Sequence, residues 1–118
     1  MTTLKILRGA RELLADESRW YQGNYTDDEG DAFCAIGACM AANDDKWPAG
    51  AEIALEAALP QAILDEAKAL QQNPIPFFND APGRTYEQVV AVLDRAIEIE
   101  EAREAEFTAE PTRELVTA

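Results

Sequence analysis

The sequence predicts an all-α, single-domain protein: a small bundle of four to five helices around a buried central helix at about residues 31–43. Three observations carry this. Ala32-Phe33-Cys34-Ala35-Ile36-Gly37-Ala38-Cys39-Met40-Ala41-Ala42 is an apolar run of eleven residues. A helix that is apolar all round has no face for water and must be covered on several sides, and this one falls well short of the ~20 residues that span a bilayer. Alanine is abundant and β-branched residues are few, which favours helix over strand. Apolar residues also recur at helical spacing near both ends of the chain. At 118 residues the chain suits one domain with one core, divided as a helical domain over 1–97 and an acidic helical extension with a short tail over 98–118.

The elements follow in order. Thr2 or Thr3 caps a first helix running to about Glu17, with Ile6, Leu7, Ala10, Leu13 and Leu14 as its buried stripe and Arg8–Glu12 as a surface i,i+4 pair. Trp20 to Tyr25 is an aromatic loop closing one end of the core. Asp31 is placed to cap the central helix and Asn43 to stop it. Pro48 suits the first position of a helix running to about Leu59, and Pro60 breaks that helix from the next, which carries Ile63, Leu64, Ala67 and Leu70. The segment 73–84 holds three prolines and reads as a long connection without regular helix, its Ile75, Phe77 and Phe78 folded back on the core and Asp80 paired with Arg84. Thr85-Tyr86-Glu87-Gln88 is a capping box. Tyr86, Val89, Val90, Leu93, Ala96 and Ile97 then form one face of the last helix, which is expected to end at Phe107-Thr108-Ala109-Glu110-Pro111.

Composition excludes several chemistries. There is no histidine, which removes the histidine-based catalytic triads, the commonest general base near neutral pH and most zinc sites. Net charge is −13, from 23 acids against 10 bases. Free nucleic acid is therefore a poor partner, because binding it relies on Lys and Arg at the phosphates, whereas a basic protein surface is favoured. The charge is uneven: residues 1–19 carry +1 and the remainder −14. The acid cluster Asp27-Asp28-Glu29-Gly30-Asp31 does not have the spacing of a calcium loop, and no metal or cofactor is predicted. No apolar run spans a membrane and the first residues lack a secretory core. Two cysteines five apart on a helix would stand about 8.6 Å apart, too far for a disulfide; free thiols fit a cytoplasmic protein.

Several of these residues together resemble a family of short, functionally uncharacterised proteins found in actinobacteria and their phages. They are Trp20, Gln22-Gly23, Gly30, Cys34 and Gly37-Ala38, then Asn79-Asp80, Arg84-Thr85, Val89 and Leu93, and the resemblance covers about residues 3–97. It implies a phage or mobile-element setting and brings no catalytic residues.

The expected function is that of a small acidic interaction protein, in its concrete form a phage-encoded inhibitor on the nucleic-acid-binding surface of a host complex. The partner-binding acids would be Asp27, Asp28, Glu29, Asp44, Asp45, Glu98, Glu100, Glu101 and Glu104, with Trp20, Tyr21 and Tyr25 as aromatic anchors. The alternatives are a small-ligand module, using those aromatics with Phe77 and Phe78, and a cysteine enzyme. The latter would combine Cys34, in the first turn of the expected helix where a thiol pKa is lowered, with Asn79, Asp80 and Arg84.

Overall fold

Thr2 caps the first helix as expected: its side chain accepts the Lys5 amide at 3.2 Å, and α1 runs over Thr3–Leu13. A computed structural model describes residues 2–117, and side chains for residues 2–106. Leu4, Ile6, Leu7, Ala10 and Leu14 are buried along one side of α1. The helix stops short of Glu17, and Glu17–Arg19 instead form a single 3-10 turn capped by Asp16. The Ser18 amide bonded to the Asp16 carboxylate holds that carboxyl below its usual pKa.

The central helix is shorter than its apolar run. Helix α2 spans Ala35–Ala42, with Cys34 rather than Asp31 at its N-cap. Residues 31–34 are drawn out of the helix because their backbone groups are bonded elsewhere. Phe33 donates to the Arg19 carbonyl at 2.7 Å and accepts from Tyr21 at 2.9 Å, while Cys34 donates to the Tyr25 carbonyl at 3.1 Å. Phe33 thus bridges both Trp20 and Thr26. Residues 35–39 are buried, as an all-apolar helix requires.

Two more helices follow where Pro60 divides them: α3 (Ala49–Ala58) and α4 (Gln61–Ala69). Ala51, Ala54, Leu55 and Ala58 of α3 are buried, whereas Ile53 is 67% exposed. The 73–84 connection is not irregular. Pro74–Asp80 form a short helix, α5, with the Asn73 side chain accepting the Ile75 amide at 3.0 Å. Prolines 74 and 76 occupy its first turn, where backbone N–H groups have no intrahelical partner to lose. This brings the described residues to six α-helices, rather than four to five, and no strand.

Helix α6 spans Tyr86–Thr117 and opens on the predicted capping box: Gln88 donates its amide to Thr85 Oγ1 at 3.2 Å and accepts the Thr85 amide at 3.0 Å. It continues past Phe107–Pro111 instead of ending there. At about 1.5 Å per residue, its 32 residues set the 54 Å long axis of the molecule.

The core lies between α1, α2, α3, α5 and α6, with α4 laid over α5 from outside. Helix α1 runs antiparallel to α6: Tyr86 donates its hydroxyl to the Leu14 carbonyl, Arg11 pairs with Asp94 at 2.9 Å, and Arg8 with Glu101 at 2.6 Å. Arg8 therefore reaches α6 instead of Glu12. Such exposed pairs each contribute about 1 kcal/mol at most. Among the described residues no helix is long and apolar enough to cross a membrane.

Gly37 marks the closest approach in this packing. A Cβ there would meet the Tyr25 carbonyl oxygen far inside contact distance and its carbon at 2.8 Å. That carbonyl is held by the Cys34 amide and cannot withdraw cheaply. Gly37→Ala is expected to cost at least about 2 kcal/mol by overpacking, read as a fall in the urea midpoint. Gly9→Ala, whose Cβ would stand 3.1 Å from Ala42 Cβ, provides the comparison; its gain of about 1 kcal/mol in helix propensity offsets most of the crowding.

Candidate functional site

Helix α5 delivers Asn79 into the interior, where the residue is fully buried. Its side-chain amide has two donors and two acceptor sites, and all are used. Oδ1 accepts from Trp20 Nε1 at 2.9 Å and from the Ala35 amide at 3.1 Å. Nδ2 donates to the Tyr21 carbonyl at 3.0 Å and to Asp80 Oδ1 at 2.8 Å. The Asn79 carbonyl accepts from Gln22 Nε2 at 2.9 Å. One residue thereby joins the aromatic loop, the N-terminus of α2 and the end of α5.

Asp80 is the outward half of this knot. Its Oδ1 also accepts the Gly23 amide at 3.0 Å, from a glycine at φ +104°. Its Oδ2 has no partner among the described residues, so the carboxylate is held through one oxygen and presents the other. Asp80 does not pair with Arg84. Arg84 lies over the Phe78 ring, 3.9 Å from its centroid, donates Nε to the Phe78 carbonyl at 2.7 Å and Nη1 to Gln88 at 3.2 Å.

Two concavities meet at Asp80 and Pro76. The larger, about 470 Å³, is also lined by Glu66, Asn73, Phe77 and Arg84. The smaller, about 250 Å³, is completed by Gly23, Asn24, Tyr25 and Cys34. A chain of contacts links the smaller concavity to the larger. The Tyr25 and Trp47 rings meet edge-on at 6.3 Å. Trp47 Nε1 donates to Glu52 Oε1 at 3.2 Å, and Glu52 Oε2 accepts from Asn73 Nδ2 at 3.2 Å. Asn73 itself lines the larger concavity. Tyr25 and Trp47 are each 43% exposed.

The residues expected to bind divide between structure and surface. Trp20 is half-buried, tied to Asn79 and tilted against Tyr86 at 6.5 Å. Tyr21 contributes its backbone to the knot. Tyr25 alone of the three is exposed. Asp27 accepts from the Asp31 and Ala32 amides at 2.8 and 3.1 Å, bonds that hold its carboxyl below the usual pKa. Asp28 and Glu29 are exposed in the same turn, and Asp44 and Asp45 are exposed in the turn before Trp47, both at positive φ. On α6, Glu98 is exposed, Glu101 is paired with Arg8, and Glu104 is partly buried.

Glu100 is only 5% exposed, so it is not a surface acid. It continues the stripe of Val89, Leu93 and Ala96 one turn further, and Arg103 covers it with bonds of 3.2 and 3.3 Å. The acids beyond Ile97 therefore do not form one free row. Sequence reasoning passed over Trp47, Glu52 and Asn73. The available signal was a large aromatic placed directly after two aspartates and a lysine, where a core residue is unexpected.

Cys34 and Asp80 line the smaller concavity together, and Asn79 bonds both Asp80 and the Ala35 amide next to Cys34. Cys34 Sγ accepts the Gly37 amide at 3.3 Å. Burial pushes its thiol up to about 11, and the adjacent Asp80 charge acts in the same direction. Cys39 is pushed by burial to about 12. The helix N-terminus that lowers an accessible thiol's pKa is outweighed here by desolvation. Among the described residues no group of three metal-ligating side chains could hold an ion.

Two outcomes are expected. At pH 8 a thiol with a pKa near 11 is about one part in a thousand thiolate, so iodoacetamide should leave both cysteines unmodified in the native protein and label both in denaturant. Mass spectrometry checks this. Asn79→Ala strands two buried donors and one carbonyl, at about 1–3 kcal/mol each, and should lower stability by about 3 kcal/mol or more. Asn79→Asp keeps the shape but sets an oxygen against the Tyr21 and Asp80 oxygens, and should not rescue it. Urea unfolding measures both.

No curated protein and no solved structure matches the chain. A family model matches residues 1–99, spanning every helix up to the middle of α6 and every residue of the Asn79 knot. The chain accordingly belongs to DUF6197, a family of unknown function.

Proposed function

We propose that this protein is a small acidic interaction module that binds a basic segment of another protein through the face around Tyr25 and Trp47. The observation that carries the reading is the pair of half-exposed, edge-packed aromatic rings between two acidic turns. Asp28 and Glu29 lie within four residues of Tyr25, and Asp44 and Asp45 within three of Trp47. Aromatic anchors inside a charged rim match the anatomy of a specific interface. The net charge of −13 speeds encounter with a cationic partner. A protein whose Lys/Arg surface handles nucleic acid is the partner this charge favours, with carboxylates in the place of phosphates; an inhibitor works in that way.

The larger concavity favours a second reading, a small-ligand module. Its volume of about 470 Å³ falls within the ~300–1,000 Å³ of ligand pockets.

A peptide array graded from Asp/Glu-rich to Lys/Arg-rich sequences separates the two. The expected result is salt-sensitive binding confined to the basic peptides and weakened about tenfold or more by Tyr25→Ala with Trp47→Ala. Equal binding to acidic peptides, no peptide binding, or an unaffected double variant would overturn the interaction reading.

A further inference from the structure

We infer that the smaller concavity is a socket for one cationic side chain, lysine or arginine, with Asp80 as its acceptor. This rests on the interaction reading above and names what the partner inserts. At about 250 Å³ the space lies below the ~300 Å³ at which pockets for small organic ligands begin, and suits a single side chain. Its lining carries one charge, the Asp80 carboxylate. Oδ1 of that group is fixed by the Gly23 amide and Asn79 Nδ2, and Asn79 is itself locked by three other bonds. The free Oδ2 is therefore a pre-oriented acceptor, which binds without first losing rotamer freedom.

Three backbone donors of the socket are consumed. The Gly23 amide serves Asp80, the Tyr25 amide serves Asn24 Oδ1 at 2.8 Å, and the Cys34 amide serves the Tyr25 carbonyl at 3.1 Å. The Cys34 thiol is neutral, since burial holds its pKa near 11. An anion would find none of these three amides free and would meet the Asp80 charge, whereas a cation finds a charged acceptor. Only one carboxylate oxygen is available, so the pairing is a single charge-assisted bond and not a two-pronged fork. Charge complementarity of the surrounding face selects a basic protein segment as the source of the cation.

Asp80→Asn tests this without disturbing the knot, because an amide oxygen at Oδ1 still accepts from Gly23 and Asn79. N-acetyl-arginine amide and N-acetyl-lysine amide are titrated into the 15N-labelled protein, with N-acetyl-citrulline amide as the neutral isostere. The expected result is a saturable shift of the Gly23 amide and Asn79 side-chain resonances with the cations, absent with citrulline and absent in Asp80→Asn. Equal shifts with citrulline, shifts that persist in the variant, or none beyond those of sodium chloride would overturn the socket. The variant is also run on the peptide array. Basic peptides that bind it as tightly as the wild type, while still needing Tyr25 and Trp47, would remove the socket and leave the interaction face standing. Loss of all peptide binding by the wild type would remove the face instead.

Discussion

A buried side-chain amide is tolerable only when each of its polar atoms is bonded, and the interior around Asn79 is arranged to meet that condition. Trp20, Tyr21, Ala35 and Asp80 supply the partners. Those partners belong to an aromatic loop, the start of the central helix and the end of a short helix more than forty residues further on. Hydrophobic burial holds α1, α3 and α6 together without direction; the amide network decides where the loop 20–34 lies. Fully satisfied polar networks of this type specify one arrangement more than they add net stability.

The consequence reaches the surface through Asp80. One oxygen of its carboxylate completes the interior network and the other has no partner among the described residues, while the residue lines both concavities, so it is structural and available. Gly23 and Gly37 serve this arrangement on opposite sides of the loop. Gly23 adopts the positive φ that brings its amide to Asp80, and Gly37 allows the Tyr25 carbonyl to lie on α2. With its backbone set there, Tyr25 has its ring against Trp47. The residues that carry the family resemblance thus converge largely on this loop and its supports.

The high acid content resolves into separate tasks. Asp16 and Asp27 cap backbone amides, Asp94 and Glu101 hold α6 against the basic side of α1, and Glu100 fills the end of a buried stripe under Arg103. The acids left to solvent include Asp28, Glu29, Asp44 and Asp45 beside the aromatic pair. The excess charge is therefore not a uniform coat: part of it is tied to backbone amides and arginines, and part is exposed.

Much of this was legible in the sequence because it is local. The stripe from Ile6 to Leu14, the Thr85–Gln88 capping box, the face from Val89 to Ala96, the break at Pro60 and the burial of residues 35–39 each follow from spacing and residue type within a few turns of chain. The α5 helix was hidden because its prolines read as breakers, although two of them sit in the first turn where their missing amides cost nothing. The start of α2 was misplaced because Phe33 and Cys34 are bonded to Arg19, Tyr21 and Tyr25, contacts no local pattern displays. Glu100 read as a surface acid because a charge conceals the continuation of a helical stripe. The sequence by itself determined the helical class, the buried centre and the net charge, all of which depend on composition and short-range period. Only the tertiary structure decided that Asn79 is the junction, that Tyr25 and Trp47 meet, and that Asp80 keeps one oxygen free, because each depends on side chains brought together from distant parts of the chain.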